Sequence, residues 1–179
     1  MSGGETSNAR SLTNVNGTLL FAADDGTPGG RKLWKSDGTE EGTMLVKDIS
    51  FGGGTASGGT LYFSASARTT RTELWKSDGT EGGTVLVKDI DQRPWLPQRG
   101  GGREVGSSSP GSLTDVNGTL FFLAEDGVHR RSVWKSDGSE RGTVLVKSRP
   151  DVTTSASELT DVNGTLFFVH GMELWKAER

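Results

Sequence analysis

At 179 residues the chain has the length of one ordinary domain, and a hydrophobic content of 31% allows only a thin core. With 20 basic against 23 acidic residues its net charge is -3, which gives no reason to expect nucleic acid or a membrane surface as partner. It has no cysteine, which excludes disulfides, thiolate catalysis and cysteine-ligated zinc, and no apolar run approaches the roughly 18 residues of a membrane span.

Residues 1–10 are small and polar and read as a frayed tail; they hold no apolar stretch of the kind a signal peptide needs. A first unit, 11–49, opens with Leu12-Thr13-Asn14-Val15-Asn16-Gly17-Thr18. Asn-Gly between apolar runs is a hairpin signal, because both central positions of a type I′ turn take positive φ. Strands follow over 18–23, 32–36 and 43–49. They are separated by the loop Asp24-Asp25-Gly26 onward and by the turn beginning Asp37-Gly38-Thr39. A second unit, 57–90, repeats the last three strands. Glycines and small residues stand at 50–59 in place of the opening phrase, so its first strand is expected to be missing or irregular.

An insertion at 91–111 carries Pro94, Trp95, Pro97, three consecutive glycines (Gly100–Gly102) and three consecutive serines (Ser107–Ser109), and is expected to be a disordered loop or linker. The third unit, 112–148, has all four strands. The fourth, 158–176, stops after its third. Residues 11–179 are thus expected to form a single β-repeat domain.

The clock of the chain is Leu33-Trp34-Lys35-Ser36-Asp37-Gly38-Thr39. It returns at Leu74-Trp75-Lys76-Ser77-Asp78-Gly79-Thr80 and at Val133-Trp134-Lys135-Ser136-Asp137-Gly138-Ser139, and begins again at Leu174-Trp175-Lys176. Trp34 and Trp75 are 41 residues apart, as are Trp134 and Trp175; the gap of 59 between Trp75 and Trp134 contains the insertion. A period near 40 with four strands per unit is that of propeller blades. Leu120 and Phe122 share one strand face, and Phe121 and Leu123 the other. In 84–90, Val85, Val87 and Asp89 face one way and Leu86, Lys88 and Ile90 the other. Strands apolar on both faces belong between two neighbouring sheets. The expected fold is all-β, a partial or incomplete propeller of about three and a half four-stranded blades, with a β-trefoil as the alternative.

The run Glu73-Leu74-Trp75-Lys76-Ser77-Asp78-Gly79-Thr80-Glu81-Gly82-Gly83-Thr84 resembles the bacterial ELWxxDGT repeat family, whose members include hyalin-like repeat proteins. The Val-Asn-Gly-Thr-Leu-Phe-Phe and Gly-Thr-Val-Leu-Val-Lys phrases fit the same family, so the likeness covers most of the chain. It implies a propeller-like, extracellular or cell-surface repeat protein without established activity. The chain departs from the family in its second opening phrase, in its insertion and in lacking an export signal, which suggests a fragment of a longer repeat protein.

Candidate ligand-contacting residues are the tryptophans Trp34, Trp75, Trp95, Trp134 and Trp175, since aromatic faces suit sugar rings. One tryptophan per unit at a fixed strand position is also what a packing rule produces. Asp24-Asp25-Gly26, Glu125-Asp126-Gly127 and the Asp-Gly pairs at 37, 78 and 137 could offer calcium oxygens, but they lack alternating ligands and suit turns. No cofactor is therefore expected, calcium being the one candidate. The Asn-Gly-Thr tripeptides at Asn16, Asn117 and Asn163 match a glycosylation acceptor and, equally, a hairpin turn. Arg93, Arg99, Arg103, Arg130 and Arg131 read as solvated. His129 and His170 fall at non-matching positions, Asp115 and Asp161 recur as turn residues, and no nucleophile or phosphate motif appears, so no enzyme is expected. The expected function is a non-enzymatic structural or interaction module, with a carbohydrate-binding lectin as the alternative. Its partner would be a protein or a glycan, and open blade edges offer a route to self-association.

Overall fold

The computed structural model describes residues 7–28, 30–66, 71–93, 106–147 and 155–177. Within them the protein is all-β, with no helix, and its strands form four antiparallel sheets in chain order. Sheet 1 holds β1 (Arg10–Val15), β2 (Thr18–Ala23), β3 (Lys32–Ser36) and β4 (Met44–Lys47). Sheet 2 holds β5 (Gly54–Ser57), β6 (Thr60–Ala65), β7 (Glu73–Ser77) and β8 (Val85–Lys88). Sheet 3 holds β9 (Gly111–Val116), β10 (Thr119–Ala124), β11 (Ser132–Ser136) and β12 (Val144–Lys147). Sheet 4 has three strands, β13 (Ala156–Val162), β14 (Thr165–His170) and β15 (Glu173–Ala177). Each sheet is a meander in which every strand pairs only with its sequence neighbours. The β-trefoil is corrected by this pairing, since a trefoil joins its strands into one barrel.

The short strands leave little choice of partner. A two-residue turn closes the first hairpin of each sheet, and apolar residues at alternate positions then fall on fixed faces. Three apolar cores result, each between two consecutive sheets. Leu20, Ala22, Leu33 and Val46 of sheet 1 pack on Leu61, Phe63, Ala65 and Trp75 of sheet 2. Tyr62, Leu74 and Val87 of sheet 2 pack on Leu120, Phe122, Ala124 and Trp134 of sheet 3. Phe121, Leu123 and Val133 of sheet 3 pack on Leu166, Phe168 and Ala177 of sheet 4, with Trp175 against them. The first strands also neighbour one another in order, β1 beside β5, β5 beside β9, β9 beside β13. Thr55 Oγ1 donates to the Leu113 carbonyl at 2.9 Å, and Ser57 Oγ to Asp115 Oδ1 at 2.5 Å, across the second of these contacts.

The first strand of the second unit is present, contrary to expectation. It is β5, four residues long and paired with β6 without a register shift. In the other three sheets the first strand carries a bulge, with Ser11, Ser112 and Glu158 at positive φ. Counting back from the hairpin, Gly53 (φ 134) stands at the bulge position, and Gly58 and Gly59 (φ 55 and 76) replace Asn-Gly in the turn. The glycines therefore sit where the backbone needs positive φ, which they adopt without a Cβ penalty. Phe51, in the same stretch, is fully buried and meets Phe63 edge-on with ring centroids 5.1 Å apart.

Two further expectations are corrected at the ends of segments. The tail read over 1–10 ends sooner, for Arg10 belongs to β1 and the Ser7 carbonyl accepts from the Asp24 amide at 2.7 Å. The disorder read over 91–111 does not extend to its described residues. Asp91 and Ser108 are buried, and Gly111 opens β9. Ile90 lies beyond the end of β8, so it shares a core with Val87 rather than with Leu86.

Candidate functional site

The recurring cassette folds into a turn whose polar groups satisfy one another. In sheet 2, Asp78 Oδ1 accepts from the Thr80 amide at 2.8 Å and from Thr80 Oγ1 at 2.7 Å. Thr80 Oγ1 accepts from the Gly83 amide at 2.9 Å, and Thr84 Oγ1 donates to the Thr80 carbonyl at 2.6 Å. Ser77 Oγ pairs with Thr84 Oγ1 at 2.8 Å and accepts from the Gly79 amide at 3.0 Å. Sheets 1 and 3 repeat the set through Ser36, Asp37, Thr39 and Thr43 and through Ser136, Asp137, Ser139 and Thr143. Such donors favour the charged carboxylate. The Thr39 amide and hydroxyl hold Asp37 below the ordinary carboxylate range, as the Thr80 hydroxyl and amide hold Asp78 and those of Ser139 hold Asp137.

This geometry explains the glycine five residues after each aspartate. A Cβ on Gly42, Gly83 or Gly142 would lie 1.9, 2.1 or 2.0 Å from the carboxylate of Asp37, Asp78 or Asp137. Sequence reasoning saw the Asp-Gly turn but not this second glycine's role, which the fixed spacing could have signalled.

The turns of sheets 2 and 3 are also held by the sheet before them. Lys47 Nζ donates to the carbonyls of Thr84 at 2.9 Å and Glu81 at 3.1 Å. Lys88 Nζ donates in the same way to Thr143 at 2.9 Å and Glu140 at 3.4 Å. Lys76 Nζ reaches the Gly138 carbonyl at 2.8 Å. Lys47, Lys76 and Lys88 are therefore clamps between sheets.

Trp75 and Trp134 are buried between sheets, each paired across strands with a phenylalanine (Phe63, Phe122) and a leucine (Leu86, Leu145). Trp34 and Trp175 are half-buried, and Trp95 lies outside the described residues. The indole Nε1 atoms of Trp34, Trp75 and Trp134 are enclosed and have no hydrogen-bond partner among the described residues. The four described candidates are thus not brought together: one tryptophan goes to each sheet.

The opposite ends of the third strands carry most of the remaining charge. The first residue of this strand is buried in sheets 1 to 3, and each sheet satisfies it differently. Lys32 pairs with Asp25 at 2.9 Å; the Lys32 ammonium and then the Thr27 hydroxyl and amide hold that carboxyl far below its ordinary range. Glu73 accepts from the amides of Ser108 at 3.1 Å and Ile90 at 3.2 Å and from the Ser108 hydroxyl. Burial nevertheless pushes its carboxyl above the ordinary range. Ser132 Oγ donates to the Arg130 carbonyl at 2.7 Å. Nearby, Arg93 pairs with buried Asp91 at 2.6 Å, so it is not simply solvated as expected. Arg130 is exposed, Arg131 half-buried, and Arg99 and Arg103 lie outside the described residues.

His129 Nδ1 meets Asp126 Oδ2 at 2.7 Å in the sheet 3 loop, while His170 is buried in sheet 4. Asp115 and Asp161 accept from the Gly118 and Gly164 amides at 3.1 and 2.9 Å, the turn role expected of them. Asn16, Asn117 and Asn163 each start a two-residue hairpin turn at φ 51. Among the described residues no three His, Asp or Glu side chains gather in a set that could hold a metal, and no helix is long and apolar enough to cross a membrane. No model of a known protein family matches the chain, and no curated protein is found similar to it.

Proposed function

We propose that the chain is a non-enzymatic repeat module of structural or interaction type, built as a partial propeller of about three and a half blades. Its resemblance to ELWxxDGT repeats implies a place at the cell surface. One observation carries the reading: every polar residue of the recurring Ser-Asp-Gly-Thr cassette has its partner inside its own turn. A motif repeated for ligand binding would leave such groups without partners in the turn. Trp75 and Trp134 support the same reading, because a ring buried between sheets has no face for a sugar. The chain order of the sheets and the neighbouring first strands support the propeller.

The test joins stability to binding. Trp75→Ala is expected to lower the cooperative thermal melt sharply, and a glycan array is expected to give no saturable binding by the native chain. Saturable binding to a sugar, abolished by Trp34→Ala while the melt is unchanged, would replace this reading with the lectin.

A further inference from the structure

The three cores inside the chain obey one rule. A sheet presents its tryptophan face, made of the tryptophan, the phenylalanine beside it and a leucine two residues before that phenylalanine, to the sheet before it. It presents its opposite face, centred on the residue preceding the tryptophan, to the sheet after it. Sheets 1 and 2, 2 and 3, and 3 and 4 all meet in this way.

The rule leaves two faces over. No described sheet precedes sheet 1, so no described sheet covers its tryptophan face, Leu19, Phe21, Trp34 and Leu45. Phe21 and Leu19 are only half-buried, whereas Phe63, Phe122, Leu61 and Leu120 at the same positions are completely enclosed. No described sheet follows sheet 4. Leu174 is 73% exposed, while Leu33, Leu74 and Val133 at the equivalent position are 0%, 0% and 1% exposed. Phe167 and Val169 flank Leu174 on this face and are half-buried. The two open faces are the two halves of the junction that the chain makes three times internally.

We propose that a second copy of this chain docks head to tail, the sheet 4 face of one copy covering the sheet 1 tryptophan face of the next. The inference rests on the interaction-module reading and names its partner. Continuity with the internal junctions is what selects the occupant. The contact joins unlike surfaces of identical chains, so it is heterologous and each copy offers one donor face and one acceptor face. Lys176 stands where Lys76 does, and Lys76 reaches the carbonyl of Gly138 in the following sheet. In the docked pair the equivalent carbonyl is that of Gly38 on the neighbouring copy. The association uses faces, and not the unpaired strand edges that the sequence pointed to. Two copies docked reciprocally would give a ring of eight sheets.

The experiment is sedimentation velocity on the native chain and on Leu174→Glu and Leu45→Glu, one charge on each open face. Both side chains are exposed, so both variants should melt close to the native chain; Leu174→Ser and Leu45→Ser provide the same readout should either glutamate variant unfold. The native chain is expected to associate at concentrations up to about 100 μM, where a contact of ordinary strength is populated. Each variant alone is expected to be a monomer, since it keeps only one of the two unlike faces. An equimolar mixture of the two variants is expected to recover a one-to-one pair through the two faces left intact. A native chain that stays monomeric would overturn the proposal and point to some other cover, such as further repeats of a longer chain. Variants that associate as the native chain does, or a mixture that stays monomeric, would overturn it too. None of these outcomes bears on the absence of glycan binding, so the module reading stands or falls separately.

Discussion

Trp34 and Trp75 hold the same place in two copies of one cassette, yet they live in different surroundings. Each sits in a third strand, opposite a phenylalanine of the second strand and a leucine of the fourth. Trp75 is buried because sheet 1 lies over it; Trp34 is half-buried because no described sheet lies over sheet 1. Leu74 and Leu174 make the converse pair at the other face, one enclosed and one open. The difference teaches that the cassette does not bury its own tryptophan. It builds a strand and a turn, and the neighbouring sheet completes the core. In a repeat array, stability is shared between the units and their junctions.

The comparison can be broken at its strongest point. Leu74→Ala removes a fully enclosed side chain and is expected to cost about 2–5 kcal/mol in urea denaturation. Leu174→Ala, the same change on the open face, is expected to cost under about 1 kcal/mol at a concentration where the chain is monomeric. Comparable losses would mean that the sheet 4 face is covered within the chain.

The turns give a smaller contrast between adjacent residues. Gly83→Ala places a Cβ against the Asp78 carboxylate and should expel it from its two hydrogen bonds, at about 1–2 kcal/mol. Gly82→Ala has open space and no positive φ, so it should be neutral or slightly stabilising. Thermal melts of the two variants check this, and the pair Gly142→Ala and Gly42→Ala should follow Gly83→Ala.

Acid and base limbs of stability separate the interior from the turns further. Glu73 is raised, so its contribution is complete below the ordinary carboxylate value and is lost as pH rises through the raised one. Asp78 and Asp137 are lowered, so theirs is complete above the ordinary value and is lost as pH falls through the lowered one. Glu73→Gln is expected to flatten the decline on the rising side and leave the acid limb in place, as read from melting temperature against pH. At the junction of sheets 2 and 3, Lys88→Met should cost about 1 kcal/mol in thermal melts, through loss of its clamp.

Much of this architecture could be read from the chain alone. Tryptophan spacing, Asn-Gly pairs and two-sided apolar strands located fourteen of the fifteen strands, because each signal is local. The strand that escaped, β5, is Gly-Thr-Ala-Ser, with no apolar alternation and glycine wherever φ is positive. Its place is set by pairing with β6 and by contact with β1 and β9, which no local pattern records. Phe51 and Ser108 were missed for the same reason: both lie between units and are buried by contacts with Phe63 and Glu73. The tryptophans were recognisable as packing residues. Which neighbour each packs against, and which face is left over, depends on the direction in which the sheets stack.

A recurring tryptophan takes its energetic weight from the sheet before it. Urea unfolding of Trp75→Ala and Trp34→Ala, measured on chains held monomeric by Leu174→Glu, tests this directly. The prediction is a loss of about 3–5 kcal/mol for Trp75→Ala and a loss at least about 2 kcal/mol smaller for Trp34→Ala. Equal losses, or a larger one at Trp34, would contradict it.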